Sequence, residues 1–269
     1  MSPKNIGMVV FDLAGTTVDY GCIAPVAAFV EGFQMMKIPI TLSQARAPMG
    51  MEKRAHIQAI AAQKEVATRW QQVHGRTVTE DDIDTMYAAF TPVLLEVLPH
   101  HCDLIPGTLE AVAWLNQRSI PFATTTGYFK EAAKMVLDKA AVEGFSPHAS
   151  ICATEVPAGR PAPWMIYRCM ETLDVYPPQR VVNIGDTAVD VASARNAGVW
   201  SIGVAASGNE LGMSHDEIRR LEAPLLLQRL QQARQTLMSA GAHYVIDTVA
   251  ELPDLIPKIE QRLAAGERP

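Results

Sequence analysis

The sequence predicts an α/β fold, a doubly wound parallel sheet interrupted early by an all-helical insert. Short apolar runs suited to strands buried on both faces recur at residues 6–12, 121–126, 181–186 and 201–205, with a shorter one at 243–247. Helical patterns follow the later runs or lead into them, at residues 108–118, 130–143, 163–173, 190–197 and 224–240. Between the first two runs the alternation fails: residues 24–37, 42–46, 51–63, 66–74 and 80–98 all read as helix. A core of residues 1–20 and 100–269 and an insert of residues 21–99 follow from this.

In order along the chain, IGMVVFD is a strand whose tip carries Asp12, and LAGTT is its turn. The insert closes with a helix announced by Thr79 and Glu80-Asp81-Asp82, a capping hydroxyl followed by first-turn carboxylates. The next strand ends in TTTG, and the third long run ends in GDTAVD. In doubly wound sheets ligands bind beyond the carboxyl ends of the strands, so chemistry is expected on that rim. The turns near Gly21 and at residues 99–106 are the expected hinges of the insert.

Composition narrows the partners. A 269-residue chain with 48% apolar and 19% charged residues can bury a large core and is not composed like a disordered one. Its net charge of −6 argues against nucleic-acid and anionic-membrane surfaces, leaving a small molecule as the expected partner. Cys22, Cys102, Cys152 and Cys169 lack metal-site spacing and read as reduced thiols. With no signal-peptide pattern and no run of membrane-spanning length, the expected compartment is the cytoplasm. Trp70, Trp114 and Trp200 suit packing positions, and His74, His100 and His101 suggest no role.

Asp12, Thr126, Gly127, Arg160, Asp186 and Asp190 all fall on or beside strand tips, in the order FDLAGTT, TTTGY, GRP, GDTAVD. One strand-end aspartate is a weak signal, because many merely cap helices. The ordered set resembles the haloacid dehalogenase superfamily of aspartate-nucleophile phosphotransferases. That resemblance implies a core of this superfamily's Rossmann-like type with the helical insert as its cap. It implies Asp12 as nucleophile, magnesium held by Asp12, the Ala14 carbonyl and Asp186, and Asp190 supporting the metal's water shell. Thr126, Gly127 and Arg160 would then hold the phosphoryl group, with Arg160 standing where many relatives carry lysine.

Ala14 departs from the superfamily's phosphatases, which place a proton-donating aspartate there. An alkoxide would leave unprotonated, so phosphomonoesterase or mutase chemistry loses ground. A carbon leaving group needs an electron sink instead, which a lysine iminium supplies. Lys53 lies in APMGMEKRAH, where Met49, Lys53 and His56 are spaced to share one helix face. With ARAPMG and VPAGRPAPWM, these features resemble the phosphonatase branch, the phosphonoacetaldehyde hydrolases. The resemblance implies a Lys53 Schiff base and an Asp12 aspartyl-phosphate. It further implies Cys22, Met49, His56 and Tyr128 near the substrate, a role in 2-aminoethylphosphonate degradation, and a homodimer joined through the cap. A receiver phosphorylated as a signal is the rival from another class, but the large insert and Arg160 suit it badly.

Overall fold

A computed structural model describes residues 5–269. Six parallel strands form one sheet: β1 (Met8–Phe11), β2 (Phe122–Thr126), β3 (Ala149–Cys152), β4 (Val181–Gly185), β5 (Trp200–Val204) and β6 (Tyr244–Ile246), in the order β3-β2-β1-β4-β5-β6. Every residue of β1, β2, β4 and β5 is buried, as expected of parallel strands covered on both faces. The chain builds outward from β1 through β2 to β3, then crosses back to β4 on the other side. The carboxyl ends of β1 and β4 therefore flank the topological switch point, with Asp12 and Asp186 each one residue beyond a strand.

Between β1 and the next core helix come five helices: α1 (Ala24–Met35), α2 (Leu42–Arg46), α3 (Lys53–Ala61), α4 (Lys64–His74) and α5 (Glu80–Val97). Thr79 and Asp82 form the capping box of α5, whose first turn is acidic as its sequence requires. Phe29 of α1 stacks on Phe90 of α5 with ring centroids 4.5 Å apart. One continuous apolar cluster runs from these rings through Leu98 and Cys102 to Phe11 and Phe122 of the sheet, so the insert is packed onto the core. Helices α6 (Thr108–Gln117), α7 (Lys130–Val142), α8 (Trp164–Thr172), α9 (Ala188–Ala197), α10 (His215–Arg220), α11 (Ala223–Ser239) and α12 (Leu252–Ala264) complete the fold.

The structure corrects the sequence reading in two respects. The helix expected from residue 51 begins at Lys53, because Glu52 caps it by accepting from the Arg54 and Ala55 amides at 2.9 and 2.8 Å. Met49 therefore shares no helix face with Lys53 and His56; it lies in a turn that continues through Gly50 at φ +89°. The sequence reading assigned no element to strand β3 or to helices α10 and α12. The first is a four-residue edge strand and the second a six-residue turn of helix. The third carries Pro253 at its start and Pro257 inside it. Trp70 and Trp200 are buried packing residues, while Trp114 is half-buried beneath the Arg118 guanidinium.

Candidate active site

Three carboxylates meet at the switch point. Asp12, Asp186 and Asp190 each offer an oxygen within 4.8 Å of the other two, and all three are buried. Arg160 reaches in from the loop before α8. Its guanidinium lies 2.7 Å from Asp12 Oδ1 and 2.8 Å from Asp190 Oδ1, and it donates to the Thr125 carbonyl and hydroxyl, both at 2.8 Å. Asp190 is fixed at the start of α9 by the hydroxyl and amide of Thr187. Asp186 accepts from the Thr16 hydroxyl at 3.2 Å and from the Asn209 amide at 2.7 Å. A side chain at Gly15 would place its Cβ 2.3 Å from Asp186 Oδ2, so only glycine fits beneath that carboxylate.

One guanidinium does not neutralise three buried carboxylates. Burial, reinforced by the Asp12 and Asp190 charges, pushes the Asp186 carboxyl well above the usual carboxylate range. The Asp190 carboxyl is pushed up to about 7, by burial first, against the pull of Arg160. An all-oxygen set with surplus negative charge fits a hard divalent cation such as magnesium. Ala14 lies on the wall of the same small cavity.

That cavity, of about 20 Å³, holds little more than one water. Asp12, Ala14, Cys22, Met49, Lys53, Thr126, Gly127, Tyr128, Arg160 and Asp186 all line it, so ten residues singled out by sequence converge there. Lys53 is 4% exposed, and its Nζ lies 4.8 Å from the Tyr128 ring centroid and 5.7 Å from that of Phe29. Among the described residues it forms no ion pair, and burial lowers its pKa from the usual lysine value. Tyr128 Oη is buried without a hydrogen-bond partner among the described residues. Thr126 Oγ1 accepts from the Tyr128 amide at 3.1 Å and so shapes the turn after β2.

His56 stands behind this wall. Its ring packs on Phe29 with centroids 3.8 Å apart, Nε2 lies 2.8 Å from the Ala45 carbonyl, and Nδ1 is buried with no partner among the described residues. Burial, aided by the Lys53 charge, holds it neutral. The insert is closed down: a Cβ at Gly127 would lie 2.3 Å from the Met51 carbonyl, and one at Gly50 would lie 2.4 Å from Thr187 Oγ1. A second, far larger groove of about 1370 Å³ runs past α1, α2 and α10, but no member of the acidic triad borders it.

Sequence reasoning missed Thr125, Thr187, Thr16 and Asn209. Thr125 and Thr187 stood inside motifs already noted, as the middle threonine of TTT and the threonine of GDT. Asn209 lies in a loop whose strand was expected and whose contacts were not.

The chain belongs to the haloacid dehalogenase-like hydrolases, whose family model matches residues 6–198. Within them it falls among the phosphonoacetaldehyde hydrolases. It is 41% identical to the phosphonoacetaldehyde hydrolase of Paraburkholderia phytofirmans over 99% of this chain and 100% of that protein. The Bacillus cereus phosphonoacetaldehyde hydrolase is 39% identical over 96% of this chain and 98% of its own. A crystal structure of a phosphonoacetaldehyde hydrolase-like protein from Oleispira antarctica superposes with TM-score 0.96 at 35% identity, covering 98% of this chain and 96% of that one.

Proposed function

We propose that this chain is a magnesium-dependent phosphonatase that cleaves phosphonoacetaldehyde to acetaldehyde and inorganic phosphate, and that it works in the cytoplasm in 2-aminoethylphosphonate degradation. The observation that carries the reading is the shared cavity. A buried lysine that has no carboxylate partner among the described residues and a strand-end aspartate beside an arginine face the same small space.

The neutral Lys53 amine adds to the aldehyde carbon, the carbinolamine takes up a proton from solvent, and water leaves to give an iminium. An Asp12 carboxylate oxygen attacks phosphorus; the carbon–phosphorus bond breaks, and its electron pair moves into the enamine on Lys53. Protonation at carbon and hydrolysis of the resulting iminium release acetaldehyde and regenerate the amine. Water attacks the aspartyl-phosphate and releases phosphate. Arg160 orients Asp12 and offers positive charge to the phosphoryl oxygens, with Thr126 and Gly127 forming the turn beside them. Asp12, Asp186 and the Ala14 carbonyl, with Asp190 behind them, would hold magnesium, which when bound would supply positive charge that lets two anions approach. Tyr128, Cys22 and Met49 complete a wall that keeps water from the amine, and His56 backs Phe29.

Borohydride added with phosphonoacetaldehyde is expected to fix a reduced two-carbon adduct on the peptide carrying Lys53. An unmodified peptide, together with full activity in Lys53→Arg, would remove the reading. The homodimer is proposed through the insert because Met35 and Leu42, 62% and 65% exposed, border the large groove beside α1. Sedimentation as a monomer at micromolar concentration would exclude it.

A further inference from the structure

The loop after β5, residues 205–213, joins parts of the protein that are distant in sequence. Asn209 donates its backbone amide to Asp186 Oδ2 at 2.7 Å, and its side-chain oxygen accepts from Arg46 Nη1 at 3.1 Å. The same guanidinium nitrogen donates to the carbonyls of Gly21 at 2.9 Å and Cys22 at 3.4 Å, on the connection into the insert. Asn209 Nδ2 returns to the Arg46 carbonyl at 3.4 Å, and that carbonyl also accepts from the Met49 amide at 2.9 Å. Two residues earlier, the Ser207 carbonyl accepts from the Gly21 amide at 2.7 Å while its hydroxyl donates to the Gly15 carbonyl at 2.8 Å. The fit is tight: a Cβ at Gly212 would lie 3.0 Å from Arg46 Cζ, and one at Gly208 would lie 2.5 Å from Asp186 Cβ.

Arg46 ends α2, and the seven residues after it carry the Met49-Gly50 turn and Lys53 over the cavity. We propose that Arg46 and Asn209 form a latch, a pair of positioning residues that ties closure of the Lys53-bearing turn to the placement of Asp186. Neither residue touches substrate. The latch acts through Lys53 on one side and Asp186 on the other, so it rests on the reading above, in which both walls act on one substrate. Closing the insert then aligns the amine and the carboxylate cluster in a single event.

Cys22 reports closure without turnover, because it lines the cavity and is 2% exposed. Cys169, buried under the sheet, reports global opening in the same molecules. In the full chain, Asn209→Ala is expected to raise the rate of Cys22 alkylation by N-ethylmaleimide about tenfold, with Cys169 unchanged. Turnover with phosphonoacetaldehyde should fall mainly in kcat, with KM changing little, and Arg46→Lys should retain more of it than Arg46→Met. Arg46→Met combined with Asn209→Ala should lose scarcely more than either alone. Unchanged Cys22 reactivity, equal acceleration at Cys169, or losses that multiply in the double variant would each overturn the latch. Absence of a borohydride adduct on wild-type Lys53 would instead sink the catalytic reading, on which Cys22 alkylation does not depend.

Discussion

The two walls of the cavity are built on opposite electrostatic plans. On the sheet side every charged side chain has a partner: Arg160 spans Asp12 and Asp190, while Asp186 is gripped by a hydroxyl and a backbone amide. On the insert side Lys53 has for neighbours the ring of Phe29 and, from the turn after β2, that of Tyr128, and the Nδ1 of the histidine behind it has no partner among the described residues. A wall that gathers charge suits a phosphoryl group, and a wall that excludes charge suits a neutral amine. The fold meets both demands by carrying the carboxylates on the sheet and the amine on the insert.

The comparison is broken most severely by removing one reactive group at a time. Asp12→Asn and Lys53→Arg should each lower turnover by on the order of 10⁴-fold or more. They should separate under borohydride with phosphonoacetaldehyde: Asp12→Asn still gives the Lys53 adduct, whereas Lys53→Arg gives none. Loss of trapping in Asp12→Asn would show that the walls do not act independently. Next in size, EDTA should suppress phosphate release by roughly 10³-fold while leaving the adduct intact, because the carboxylates that would hold a cation stand on the sheet wall. Loss of both would place the metal's influence on the amine as well. Arg160→Lys should cost about 10²-fold in kcat, since an ammonium keeps the charge but cannot span two carboxylates as the guanidinium does. Full activity in that variant would mean that charge alone suffices.

The two walls also differed in how far the sequence disclosed them. The positions of Asp12, Thr126 and Asp186 were legible because a parallel strand buried on both faces leaves an apolar run, and these residues stand at its end or one step past it. On the insert, Lys53 was identified through resemblance, and the helical spacing first assigned to it was wrong for Met49. The signal overlooked there was Gly50, whose left-handed backbone ends any helix continuing from Met49. Asn209 was illegible for another reason: its amide meets Asp186 only after β5 and β4 pair, and no local pattern encodes that. Helix α12 was hidden by prolines, which its burial of Leu255, Ile256, Ile259 and Leu263 overrides.

The smallest expected effect concerns the connection between the walls. Asp19, at φ +55°, accepts from the Ile23 and Ala24 amides at 3.0 Å each, and His101 Nδ1 on the return connection lies 3.6 Å away. Burial raises its pKa from 3.8 to about 7 against those amides and against the Arg46 and Lys53 charges, with the Cys22 thiol also close. The folded state therefore holds the proton more tightly than the unfolded chain. The stability this contributes is complete below about pH 3.8 and is lost as pH rises through about 7. His101 works the other way, because burial lowers its pKa and the stability lost with it is lost on acidification. Asn tolerates the left-handed backbone and carries no proton to release, so Asp19→Asn should add a pH-independent offset for the weakened cap and remove the Asp19 slope. From pH 5 to pH 8 the unfolding free energy of the variant should gain on the wild type by on the order of 1 kcal/mol. Parallel stability curves from denaturant titrations across that range would show that Asp19 is ionised throughout, and that the connection carries charge as the sheet wall does.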